Sequence, residues 1–213
     1  MIDQITIGLD PGHSTRSPGC INGDFREADW IWFLSERVVD LLFASGWPID
    51  LKLTRTGPDH DPELHERAEI MASAERSHKA DFVIALHANS TPDPREHGCL
   101  AFRIMGSSYT YIPCESFLRA MNRQGDYVEE NTGLVRPMAT QMHCAKPNHW
   151  TERAYNVLKW YPQYSIPAVL FEFGYSSNPP EREWLLSDEG KEECALATVD
   201  SVQALLRDLK VLN

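Results

Sequence analysis

Apolar and polar positions along this chain follow two alternating rhythms. Residues 4–10 (QITIGLD) form a short apolar run that breaks at Asp10-Pro11-Gly12-His13, and they read as a first strand. Residues 11–26 (PGHSTRSPGCINGDFR) are rich in Gly, Pro and Ser and read as loop. From Glu27 the period changes. Trp30, Ile31, Leu34, Val38, Leu41 and Leu42 recur at helical spacing, and Gly46 stops the helix. Trp30, Trp32 and Phe33 read as its core cluster. Residues 48–55 alternate as a second strand, and a helix starts near Pro62. Residues 81–90 (DFVIALHANS) are a compact apolar strand, and 98–104 another. Beyond them the pattern predicts a helix over 116–127, a loop over 128–136, an irregular stretch over 137–151 and a short helix or strand over 152–160. Residues 166–178 (IPAVLFEFGYSSN) are again a strand, and helices over 181–186 and 189–209 close the chain.

Strands alternating with helices predict one α/β domain, a mostly parallel central sheet flanked by helices, spanning 1–213 with no separate binding domain. In such sheets ligands gather at the carboxyl ends of strands. Three predicted strands carry chemically capable residues there: His13, His87 and Glu172. Each histidine alone has an ordinary explanation, as a turn residue or a satisfied core residue. Glu172 is harder to dismiss, because a carboxylate inside AVLFEFGY must be paired, metal-bound or protonated. Glu27 opens the long helix, where a negative charge is favoured by the helix dipole. Together they make a chemical set. Two imidazoles and a carboxylate are a known ligand set for catalytic zinc, and a further carboxylate can take a proton from water. His13, Glu27 and His87 would be the ligands and Glu172 the base.

Composition narrows the choice of partner. A net charge of −11 and the lack of a Lys/Arg cluster argue against nucleic acid. No apolar run is long enough for membrane insertion. Five widely spaced cysteines without a C-x-x-C pair read as free thiols. The N-terminal MIDQITIGLD shows no basic n-region, so the expectation is synthesis in the cytoplasm without a signal peptide.

Five stretches carry a resemblance to a known family: LDPGH (9–13), EAD (27–29), LTRTGPDHDPELHERAEIMASAERSHKADF (53–82), ALHANS (85–90) and AVLFEFGYSSNP (168–179). In this order the chain resembles the zinc-dependent N-acetylmuramoyl-L-alanine amidases of the amidase-3 type. The resemblance implies one Zn2+ per chain on His13, Glu27 and His87, with Glu172 as catalytic carboxylate. It also implies peptidoglycan as substrate and Asn89 and Arg136 as substrate contacts. Ala72-Ser73 stands where the family usually has Ala-Asn, and 137–151 resembles an insertion. A wall hydrolase without a signal peptide would act after release, as in phage lysis or mother-cell lysis. Two other readings remain open from the residues: a zinc carboxypeptidase acting on the stem peptide, with Arg136 or Arg103 gripping a terminal carboxylate, and a non-catalytic wall-binding module. Asp10 reads either as a turn residue or as a partner that fixes the His13 ring.

Overall fold

Six strands make the central sheet of the computed structural model, which describes residues 4–74, 78–104, 108–123, 139–145 and 153–212. In chain order the elements begin with β1 (Ile5–Pro11), the two short strands β2 (Ile21–Asn22) and β3 (Phe25–Arg26), α1 (Glu27–Ala44) and β4 (Ile49–Leu53). They continue with α2 (Leu64–Ala72), β5 (Phe82–Asn89), β6 (Cys99–Ile104) and α3 (Tyr111–Arg123). The last are β7 (Ala139–Ala145), α4 (Arg153–Leu158), β8 (Ala168–Tyr175), α5 (Pro179–Leu186) and α6 (Asp188–Asp208). The sheet order is β4-β1-β5-β8-β6-β7. β4, β1, β5 and β8 run parallel, β6 runs against β8, and β7 follows β6. The expected mostly parallel sheet is therefore present, and β1, β5 and β8 lie side by side in it.

Side chains alternate across this sheet. Ile5, Ile7 and Leu9 of β1, Phe82, Ile84 and Leu86 of β5, and Val169, Phe171 and Phe173 of β8 join the larger core with residues of α1, α3 and α6. Phe117 of α3 stacks flat on Phe171, ring centroids 4.0 Å apart. Val83 and Ala85 of β5, with Ala168 and Leu170 of β8, join a smaller core with Ala68 and Met71 of α2, Leu158 and Tyr161. By the same alternation His87 and Glu172 lie on this second face of the sheet. Burying each large aliphatic or aromatic side chain stabilises the fold by about 1.5–3 kcal/mol. Both faces therefore anchor the strands that carry the candidate residues.

Three local expectations change. Residues 11–26 are not all loop, since β2 and β3 form a two-stranded antiparallel hairpin. Residues 139–145 form an edge strand rather than an irregular stretch. Phe33 is not core: it is 49% exposed and lies beneath Lys191, because the buried stripe of α1 runs through Trp30, Ile31, Leu34 and Val38. No helix among the described residues is long and apolar enough to cross a membrane. Cys20 and Cys194 are free thiols, as expected.

Candidate functional site

The strand order brings the three strand ends together. β1 and β5 are paired neighbours, and β5 pairs with β8 in a register that sets His87 opposite Glu172. The β5–β8 register then shifts between His87 and Asn89. Such irregularities re-aim side chains where a ladder ends. Glu27 arrives from a different direction, as the first residue of α1. Its own N–H and that of Ala28 donate to the carbonyls of Cys20 and Pro18, so the preceding loop satisfies two open donors of the helix start.

His13 Nε2 and His87 Nδ1 each lie 3.2 Å from Glu27 Oε1. One ligand atom from each of these three residues falls within 4.8 Å of the others. The two rings meet edge to face, centroids 5.1 Å apart. A tetrahedral ion bound at about 2.0–2.1 Å sets its ligand atoms about 3.3 Å apart, so the two observed separations fit one small cation. The donor set also fits, since imidazole nitrogen and carboxylate oxygen are what zinc takes in hydrolytic sites. Glu27 is otherwise well provided: the N–H of Cys20 donates to Oε2 and that of Ala88 to Oε1, both at 3.0 Å. Burial opposes its charge, but the two histidines outweigh burial and hold its carboxyl below the usual range.

Glu172 stands apart from this set. Its Oε2 is shielded from solvent and has no hydrogen-bond partner among the described residues. Burial first, and then the negative charge of Glu27, push its pKa well above the ordinary carboxylate value. A polar atom left in this condition costs stability, and such groups cluster where chemistry is done.

Two glycines make the close packing possible. A Cβ on Gly12 would run into the His87 ring, and one on Gly19 into Glu27 Oε2 and the His13 ring. Gly19 also has a φ of +71°. The sharp change of direction after β1, though, is made by His13 itself, at φ 60°. Non-glycine residues seldom enter that region, and histidine does so more readily than most. The hairpin of β2 and β3 packs over the same end of the sheet. Asn22 Nδ2 donates to Ser176 Oγ at 2.8 Å, and Cys20 Sγ lies 3.0 Å from the same oxygen. Burial, followed by the charge of Glu27, pushes the Cys20 thiol up to about 12, so it stays protonated.

Asp10 does not fix the His13 ring. It is fully buried and accepts from Thr54 Oγ1 at 2.6 Å, Arg67 Nη1 at 2.7 Å and Tyr161 Oη at 2.6 Å. Burial works against its charge, but Arg67 and the two hydroxyls prevail and hold its carboxyl low. Tyr161 is fully buried in the smaller core. Asn89 uses its side-chain oxygen on the N–H of Ser90. Arg136 lies outside the described residues. Arg103 pairs in register with Val169, three residues before Glu172, and engages Thr110 and the Tyr111 ring. That employment weakens the carboxypeptidase reading. Sequence reasoning missed Thr54, Arg55, Arg67 and Tyr161, although Arg55 and Arg67 lie inside the long stretch that carried part of the resemblance.

Comparison with known proteins points to one family. A family model, Amidase_3, described as N-acetylmuramoyl-L-alanine amidase, matches residues 7–204. The N-acetylmuramoyl-L-alanine amidase AmiA of Salmonella typhimurium is 26% identical over 225 residues, which cover 92% of this chain and 74% of the relative. In fold, the chain resembles the catalytic domain of CwlV, an N-acetylmuramoyl-L-alanine amidase from Bacillus (Paenibacillus) polymyxa var. colistinus. That likeness has a TM-score of 0.74 at 20% identity and covers 98% of this chain and 99% of that one. AmiC2 of Nostoc punctiforme gives a TM-score of 0.69 at 24% identity, covering 97% of each chain.

Proposed function

The chain belongs to the N-acetylmuramoyl-L-alanine amidase family Amidase_3, and on that premise we propose that it cleaves the amide between N-acetylmuramic acid and L-alanine of peptidoglycan, using one zinc ion held by His13, Glu27 and His87. The observation that carries the reading is the convergence of those three ligand atoms within 4.8 Å, two from strand ends and one from the start of α1, beside the strand that carries Glu172. Bound there, zinc would supply Lewis acidity toward a water molecule and toward the amide carbonyl.

The chain's own residues do the rest. Glu27 contributes the single negative charge among the ligands, and the N–H groups of Cys20 and Ala88 keep that carboxylate oriented. His13 and His87 would offer Nε2 and Nδ1 to the ion. Glu172 accepts the proton of the attacking water as its oxygen bonds to the lactyl carbonyl carbon. It then delivers that proton to the alanine nitrogen as the C–N bond breaks. The products are a muramic carboxylate and a free amine. Its shielded Oε2, without a hydrogen-bond partner among the described residues, supports this role, because the group has to take the proton and hold it between the two halves of the reaction. Asn89 and Arg136 are the substrate contacts proposed with this reading.

The test is the bond that opens. Purified protein digesting isolated peptidoglycan is expected to release peptides with a free N-terminal L-alanine and glycans with unsubstituted lactyl groups, both readable by mass spectrometry. A strong chelator is expected to stop the digestion, and added zinc to restore it. Shortened stem peptides still attached to muramic acid would overturn the amidase reading in favour of a peptidase.

A further inference from the structure

Three successive main-chain carbonyls at the end of β1 each accept an N–H from an arginine. Arg67 Nη1 donates to Pro11 O at 2.7 Å, Arg55 Nη1 to Gly12 O at 3.1 Å, and Arg67 Nη2 to His13 O at 3.3 Å. Both arginines are buried, at 1% and 4% exposure. A guanidinium survives such burial only when its donors are used. Both are also held from behind. Arg55 gives Nε to His60 O and Nη2 to Pro58 O, and its guanidinium lies over the Trp32 ring at 5.1 Å. Arg67 gives Nε to Pro62 O and pairs with Asp10 at 2.7 Å. Asp10 is in turn fixed by Thr54 and Tyr161. The forward donors of two anchored cations therefore converge on residues 11–13.

That backbone needs holding. His13 stands at φ 60°, in the left-handed region that side chains disfavour. Such a conformation persists only when its surroundings over-determine it. Released, the peptide would relax, and the His13 ring would leave its place beside Glu27.

We infer that Arg55 and Arg67 are positioning residues for the metal centre, clamping the carbonyls of residues 11–13 so that the left-handed His13 presents Nε2 to the ion. The clamp acts on main-chain oxygen, unlike the usual support of a metal-bound histidine through its other ring nitrogen. It also gives arginine a task that lysine does not fill. A lysine at 67 carries the same charge, but one ammonium cannot span Asp10, Pro11 O and His13 O as a planar fork does.

The inference rests on the reading of His13 as a metal ligand, so the experiment measures metal binding directly. The full chain is stripped of metal, and its zinc dissociation constant is read by chelator competition for the unaltered protein, Arg67→Lys, Arg55→Lys and Leu205→Ala. Leu205 is a buried α6 residue beside Ile5, Phe82 and Pro167, at the starts of the strands and away from the site. Its truncation reports plain loss of stability. Zinc affinity is expected to fall about 10–100-fold in Arg67→Lys and by a smaller factor in Arg55→Lys, with a changed absorption spectrum of the Co2+-loaded proteins. Leu205→Ala is expected to lower the thermal midpoint of the metal-free protein while keeping zinc affinity unchanged. Unaltered zinc affinity in folded arginine variants overturns the inference, as does affinity that merely tracks the thermal midpoint across all three variants. Should Arg67→Lys not fold, Arg55→Lys decides by the same criterion. Unaltered protein that binds no zinc refutes the ligand reading itself, whereas arginine variants that match a zinc-binding parent refute only the clamp.

Discussion

Glu27 and Glu172 bring the same functional group to one site under opposite conditions. Glu27 receives two backbone N–H groups and two histidines, whereas Glu172 keeps a shielded oxygen without a partner among the described residues. The first arrangement holds a charge in place, and the second leaves a group ready to exchange a proton. Replacing Glu27 with Ala is expected to abolish stoichiometric zinc binding. Replacing Glu172 with Ala is expected to leave zinc content near one per chain and lower turnover by about 10²–10⁴-fold, the usual worth of a general acid–base group. Elemental analysis and peptidoglycan digestion of the two variants check this, and zinc lost from Glu172→Ala but kept by Glu27→Ala would reverse the roles. These four residues were legible in the sequence because strand ends and a helix start mark them locally. Their support was not. Arg67 and Asp10 are 57 positions apart, and Tyr161 and Asp10 are 151 apart. Only the folded sheet brings them together. The left-handed conformation of His13 was hidden too, since the neighbouring Gly12 is the residue a reader would credit with it.

Among the elements, strong periodicity was readable and weak periodicity was not. β5 and β8 are dense in apolar residues and α1 carries a clear stripe, so their places were plain. β7 (ATQMHCA) has no aromatic residue and only one β-branched one. As an edge strand it gains less from such residues than a central one. β2 and β3 are two residues each, too short to show a period. The junction of β6, β8 and α5 holds another feature that composition conceals. Glu181, in the first turn of α5, accepts the N–H of Gly98 through Oε1 and that of Tyr175 through Oε2, both at 2.7 Å. It thereby ties the start of β6 to the end of β8. Burial pushes its pKa up to about 7, against the pull of the two N–H bonds and of His97. A carboxyl whose pKa is higher folded than unfolded binds its proton more tightly in the fold. Its contribution to stability is complete below about 4.5 and is lost as pH rises through about 7. Relative to Glu181→Gln, which cannot titrate, the parent protein is therefore expected to lose stability from pH 5 to pH 8, by up to about 3 kcal/mol. Paired urea titrations of both metal-free proteins measure it, and a difference that is flat or grows with pH would contradict the assignment.

At the scale of the whole molecule, the sheet order and the charge pull in different directions. Placing β1, β5 and β8 side by side concentrates the candidate chemistry at one end of the sheet, where binding depends on contacts a few ångströms long. The chain as a whole carries a net charge of −11. A bacterial wall rich in anionic polymers would repel such a chain at long range, leaving attraction to short-range contacts. Salt weakens only the long-range part, because the screening length falls to about 10 Å at 0.1 M. Binding to isolated walls is thus expected to stay level or to strengthen as salt rises from about 20 mM toward physiological ionic strength, the reverse of what a basic wall-binding surface gives. The Glu172→Ala variant suits the measurement, since it is expected to hold the wall without digesting it, and co-sedimentation at several salt concentrations gives the bound fraction. A steep decline over that range would reveal a cationic surface that the overall charge conceals, and it would move the source of wall affinity away from the metal centre.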